Sequence, residues 1–119
     1  MNVLIAEDDP VLSLMLQQMI RELNHHPDIV EKGADAVEQA LACEYDLILM
    51  DIMLRDDVDG IEAYKKIREV KEIPLIYITG NTDSGYRKRA DKIGFHAILP
   101  KPVSFEELKA AIEALETIR

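Results

Sequence analysis

Apolar residues in this chain fall into short unbroken runs, separated by segments in which they recur every three or four positions. The runs are Val3-Leu4-Ile5-Ala6, Leu47-Ile48-Leu49-Met50, Leu75-Ile76-Tyr77-Ile78 and Ala97-Ile98-Leu99. Continuous rather than alternating apolarity predicts strands covered on both faces, as in a parallel sheet. A weaker run, Asp28-Ile29-Val30, follows the break at His26-Pro27 and predicts a further strand near an edge. The first intervening helix opens at Asp9-Pro10, a capping residue followed by a proline suited to the first helical position. Leu12, Leu16, Met19, Ile20 and Leu23 then share its inner face. A second helix is expected from Ala34 to Cys43 with Val37 and Leu41 inward. A third starts after Gly60, carries Ile61, Tyr64 and Ile67, and stops before Pro74. In the last, Ser104 and Glu107 form a capping box ahead of a stripe of Phe105, Leu108, Ile112 and Leu115. The fourth, about Asp83 to Ile93, contains Gly85 and offers a core only Tyr86, Ala90 and Ile93. So little burial predicts low local stability there.

Strand and helix alternate five times, which predicts an α/β parallel sheet with right-handed crossovers. No linker, internal repeat or low-complexity stretch interrupts the 119 residues, so one domain over 1–119 is expected. A composition of 48% apolar and 31% charged residues predicts an ordinary soluble globular protein. No apolar run approaches the length of a membrane span, and the N-terminus turns acidic at Glu7-Asp8 where a signal peptide would stay apolar. A cytoplasmic location with no membrane contact follows. The formal charge of −9 argues against direct binding of nucleic acid, whose phosphates attract basic surfaces. Cys43, the sole cysteine, rules out an internal disulfide and a cysteine-built metal site, and is expected to be a buried small hydrophobe.

Ligands of open parallel sheets bind beyond the carboxyl ends of the strands. Glu7, Asp8 and Asp9 follow the first run, Asp51 the third and Thr79 the fourth, while Lys101 lies one residue beyond Pro100 after the fifth. Each is unremarkable alone. Gathered at one edge, they suit phosphate or metal chemistry.

In this order the residues resemble the response-regulator receiver family of two-component signalling, in particular its chemotaxis-type single-domain members. The likeness covers the whole chain. It implies a doubly wound, five-stranded parallel sheet of flavodoxin-like order 2-1-3-4-5 with helices on both faces. It also implies a switch or phosphorelay intermediate that accepts a phosphoryl group from the phosphohistidine of a sensor histidine kinase or histidine phosphotransfer protein. By the same resemblance Asp51 is the phosphoacceptor. Asp8 binds the metal directly, Glu7 acts through water and the Met53 carbonyl is a further ligand. The Thr79 hydroxyl and Lys101 each hold a phosphoryl oxygen, Asp9 caps the first helix, and Lys101-Pro102 is a cis peptide. Asp51 is then a carboxylate nucleophile that needs neutralised charge and alignment. Magnesium, or alternatively manganese, suits the oxygen ligands. Such a domain is not an enzyme in the ordinary sense, since it catalyses only its own phosphorylation and dephosphorylation.

Three departures from the family's pattern stand out. Ile98 occupies a position that is often aromatic, and a stiff β-branched side chain cannot swing as a ring does. Gly80 follows Thr79 where many relatives have alanine, which together with the marginal fourth helix predicts a disorder-to-order switch over Gly80 to Ile93. The loop Ile52 to Asp59 is longer than usual, lacks proline and carries extra aspartates. Around Gly80–Ile93 and Ile98 lies the expected face for a downstream protein, and Arg87, Lys88, Arg89 and Lys92 make it basic. His25, His26 and His96 share no ligand spacing. The chain opens on methionine and closes with its last helix, which predicts a stand-alone switch, although an excised receiver would look the same.

Other classes fare worse. An aspartyl-phosphate phosphatase commonly needs an acid two residues after its nucleophile, where this chain has Met53. A flavin carrier needs a serine-, threonine- or glycine-rich loop where Glu7-Asp8-Asp9 would repel a phosphate. A receiver acting only as an unphosphorylated scaffold would not need every acid that is present.

Overall fold

The predicted runs become the strands β1 (Asn2–Ala6), β2 (His26–Val30), β3 (Leu47–Asp51), β4 (Leu75–Thr79) and β5 (Ala97–Pro100). Between and after them lie α1 (Pro10–Glu22), α2 (Gly33–Ala42), α3 (Gly60–Arg68), α4 (Ser84–Ile93) and α5 (Phe105–Ile118). The computed structural model describes residues 1–54, 58–80 and 84–118, the side chains of Ser84 and Ile118 excepted. Asp56 and Asp57, the extra acids of the long loop, lie outside the described residues, as does Asp83.

All pairings are parallel, in the order β2-β1-β3-β4-β5. The three inner strands are buried throughout apart from Thr79 and the first residue of β1, which is why their sequences run apolar without alternation. One face packs an aliphatic layer, including Val3, Ile5, Leu49 and Ile78, against Leu16 and Ile20 of α1 and Leu108, Ile112 and Leu115 of α5. The opposite face packs Leu4, Met50 and Tyr77 against Ala36 and Ala40 of α2, Ile61, Tyr64 and Ile67 of α3, and Ala90 of α4.

Local chemistry sets the helix ends. The Asp9 carboxylate accepts from the Val11 and Leu12 amides and so caps α1. The same helix stops at Asn24 in the left-handed region (φ 66°), with the His25 amide on the Ile20 carbonyl and the Asn24 amide on that of Arg21. At the head of α5 the Ser104 hydroxyl accepts from the Glu107 amide and donates to its carboxylate, each at 3.1 Å, so the predicted pair caps the helix through the hydroxyl.

Three expectations need correction. Strand β2 starts at His26 and includes Pro27, because an edge strand need not supply every donor to the ladder. In α2 the inward residues are Gly33, Ala36 and Ala40, with Val37 half-buried and Leu41 exposed. Gly33 fixes that register, since a Cβ there would overlap the Val58 carbonyl oxygen. Cys43 is exposed at the end of α2, where its amide closes the last turn on Gln39 instead of its thiol entering the core.

Candidate functional site

Register brings the chemistry to one edge. Ala6 pairs with Met50, Asp51 with Ile78 and Thr79 with Pro100, so Glu7, Asp51, Thr79 and Lys101 follow one another across the carboxyl ends of four adjacent strands. Backbone bonds extend the ladder to these residues. The Ile52 amide reaches the Ile78 carbonyl (3.2 Å), and the Lys101 amide reaches that of Thr79 (2.9 Å).

Asp51 is buried, 3% exposed, yet both its oxygens are held. The Met53 amide donates to Oδ1 and the Lys101 ammonium to Oδ2, each at 2.9 Å. That same ammonium lies 3.3 Å from Oε1 of the fully buried Glu7, close enough for an ion pair, while Oε1 has no hydrogen-bond partner among the described residues. Oε2 of Glu7 accepts from the Asp9 amide at 3.0 Å. Burial, reinforced by the Asp51 and Asp8 carboxyls, pushes Glu7 up to about 7, against the opposing pull of the Asp9 amide and Lys101. For Lys101 burial works downward, but the bond and charge of Asp51, with Glu7 behind them, outweigh it and hold the ammonium above its usual value. Behind the site, Gly60 comes so close that a Cβ would overlap the Asp51 carbonyl oxygen, so only glycine lets α3 start there.

One oxygen from each of Glu7, Asp8 and Asp51 lies within 4.8 Å of the others. At that distance two ionised carboxylates repel by roughly 3 kcal/mol at an effective dielectric of about 20. Lys101 is a single positive charge against this group. An all-oxygen donor set with a buried, unbonded Glu7 oxygen fits a hard divalent cation.

Of the predicted residues, Glu7, Asp8, Asp51 and Lys101 are brought together, and Thr79 ends the neighbouring strand. Asp9 turns its carboxylate away to cap α1 and contributes its amide to Glu7. Met53 touches Asp51 through its amide while its side chain is exposed. The peptide before Pro102 is cis. Sequence reasoning missed the two supporting amides, which no side-chain motif announces, and the link from Asp59 to α4. Asp59 caps α3 through the Glu62 amide (2.8 Å) and also receives both terminal nitrogens of Arg89, at 3.0 and 3.4 Å.

A family model, the response regulator receiver domain, matches residues 3–113. The chain belongs to this family. It is 32% identical over 115 residues to the transcriptional activator protein IrlR of Burkholderia pseudomallei, covering 97% of this chain and 50% of that protein. To the response regulator ArlR of Staphylococcus aureus it is 34% identical over 114 residues, with 96% and 52% covered. This receiver thus spans about half the length of the curated relatives it matches. Among solved structures, the receiver domain of a sensor histidine kinase from Pseudomonas aeruginosa has a magnesium ion coordinated in its active-site cleft. It superposes with a TM-score of 0.86 at 32% identity, covering 95% of this chain and 94% of that one. The receiver's observed strand order and flanking helices are those expected of the flavodoxin-like arrangement. Among its described residues no helix is long and apolar enough to cross a membrane.

Proposed function

We propose that residues 1–119 form one receiver domain, a cytoplasmic two-component switch or phosphorelay intermediate phosphorylated on Asp51. The carrying observation is the placement of Asp51, a buried carboxylate held by one ammonium and one amide at the edge of an acidic cluster. An Asp51 oxygen bonds to the phosphorus of a phosphohistidine as the phosphorus–nitrogen bond breaks. The electron pair of that bond stays on the imidazole of the sensor histidine kinase or histidine phosphotransfer protein. Lys101, already on Asp51, pairs with one oxygen of the new acyl phosphate, and the Thr79 hydroxyl bonds another. Asp8, Asp51, the Met53 carbonyl and, through water, Glu7 would hold a magnesium or manganese ion. Such an ion supplies neutralising charge and alignment for the phosphoryl oxygens.

The donor's place is suggested by exposed apolar side chains on both sides of the acids. Val11, Leu14 and Met15 stand on α1, which starts just past Asp8-Asp9, and Met53 lies two residues past Asp51. Output runs through α4, beside Ile98, and that helix is held more firmly when phosphate draws Thr79 inward; positions 81–83 of the expected switch segment lie outside the described residues. Slower amide exchange in α4 with a phosphoryl mimic supports this; unchanged exchange there removes it.

The deciding experiment is intact mass after incubation with magnesium and acetyl phosphate, alongside Asp51→Asn. One phosphoryl group on the native chain, absent from the variant and prevented by a chelator, is expected. A folded native chain that takes none from this donor or from a phosphorylated histidine kinase is a scaffold instead. Millimolar magnesium should also raise Tm, because an ion bound only by the folded state stabilises it. An unchanged Tm would count against the acidic cluster as a metal site.

A further inference from the structure

The chain is strongly acidic, yet its positive charge is concentrated. Seven of its fourteen lysines and arginines lie on α3 and α4: Lys65, Lys66, Arg68, Arg87, Lys88, Arg89 and Lys92. Between these two helices runs a groove of about 460 Å³, lined by Ile61, Glu62 and Lys65 of α3 and by Arg89, Lys92 and Ile93 of α4. Its floor is apolar, with Ile61 buried and Ile93 half-buried. Positions 61, 62 and 65 face positions 89, 92 and 93, so each helix presents one stripe to the groove.

Among the described residues Asp59 pairs with Arg89 (3.0 Å) and Asp91 with Arg87 (3.2 Å), and Glu62 is the one carboxylate on the lining. Lys65, Lys66, Lys88 and Lys92 are exposed and make no ion pair among the described residues. An apolar floor between unpaired lysines, on a chain of net charge −9, is a surface complementary to a segment that combines carboxylates with an apolar anchor.

The geometry points to the α3–α4 groove as a docking site for an acidic peptide segment of a partner protein. One apolar side chain of that segment packs on the half-buried Ile93, above the buried Ile61, and its carboxylates meet Lys65 and Lys92. A nucleic acid has the charge but not the anchor, and it is repelled by the rest of the chain. The groove lining shares no residue with the Glu7, Asp8 and Asp51 cluster, so the assignment does not require the phosphoryl chemistry proposed for Asp51.

The test uses the full chain and a panel of short fluorescent peptides, rich in Glu and Asp, that vary one central residue among Leu, Ile, Phe and Ser. Anisotropy should show saturable binding that favours the apolar centres, with amide shifts confined to α3 and α4. Lys65→Glu combined with Lys92→Glu should weaken binding roughly tenfold or more. Lys109→Glu on α5 should change it little, and Asp51→Asn should leave it intact. Unchanged melting shows that the double variant still folds. The proposal is overturned if no peptide binds, if Ser at the centre binds as well as Leu, or if an oligonucleotide of equal charge binds as well. Shifts mapping elsewhere, or self-association in place of peptide binding, overturn it too.

Discussion

Helices α1 and α4 each follow a strand that ends at the acidic pocket, yet they are held in different ways. Helix α1 buries Leu16 and Ile20 completely, adds Leu12, Met19 and Leu23, and is fastened at both ends by the Asp9 cap and the turn at Asn24. Helix α4 has Ala90 as its one fully buried side chain among those described, with Tyr86 and Ile93 half-buried. Beside these contacts, the Arg89–Asp59 pair ties it to the cap of α3. Burying a large aliphatic side chain is worth about 1.5–3 kcal/mol, and an exposed ion pair about 0–1. The pocket therefore sits between a rigid wall and a lightly held one. A local event at Asp51 can move only the second at low cost.

The largest expected effect tests the rigid wall. Leu16→Ala should cost about 2–5 kcal/mol in chemical denaturation, because it opens a cavity under α1. Ile93→Ala, half-buried on α4, should cost no more than about 1 kcal/mol. Equal losses would erase the distinction. Asp9→Ala, which removes the α1 cap, should cost about 0.5–2 kcal/mol with faster exchange in the first turn.

Two tyrosines, Tyr64 on α3 and Tyr77 on β4, sharpen the contrast. Tyr64 donates to the Ile73 carbonyl at 2.7 Å, so Tyr64→Phe should cost about 0.5–1.5 kcal/mol. Tyr77 is wholly buried in the layer that α4 covers, edge-on to Tyr64 and Phe95, with a hydroxyl that has no hydrogen-bond partner among the described residues. Tyr77→Phe should leave Tm unchanged or raise it, since it removes a desolvated group that gains nothing. A loss as large as that of Tyr64→Phe would mean that this hydroxyl has a role. A pH dependence completes the comparison at the head of α1. Without metal, Glu7 in the folded chain titrates at about 7 instead of 4.5, so the folded state holds a proton that the unfolded state has lost. Stability in chelator should fall as pH rises from about 4.5 to about 7, and Glu7→Gln should flatten that slope. A slope identical in the variant would place the proton elsewhere.

Much of this receiver was legible in its residues. Unbroken apolar runs named the inner strands because strands covered on both faces have no polar side to show. Asp9-Pro10, Gly60 and Ser104 marked helix starts because the rules of capping and close approach are local. The row Glu7, Asp51, Thr79 and Lys101 could be read because a parallel sheet delivers every strand end to one edge. Position 41 misled, since Leu41 looks more apolar than Ala36 and Ala40. Contact with the Val58 backbone, far along the chain, rotates α2 to turn the small residues inward. Cys43 misled for the same reason, as average burial says nothing about a residue that ends a helix.

By itself, the sequence determined the alternation of elements, most of their ends, and which residues stand at the carboxyl edge of the sheet. These depend on side-chain periodicity and on chemistry within a few residues. Only the tertiary structure decided that the Met53 and Asp9 amides support Asp51 and Glu7, that Lys101 lies between two buried acids, and that Arg89 ties α4 to Asp59. The contacts of Lys101 and Arg89 join side chains across separate elements, and the two amide contacts, though only two residues apart, depend on how the backbone turns after each strand; neither spacing nor composition records that.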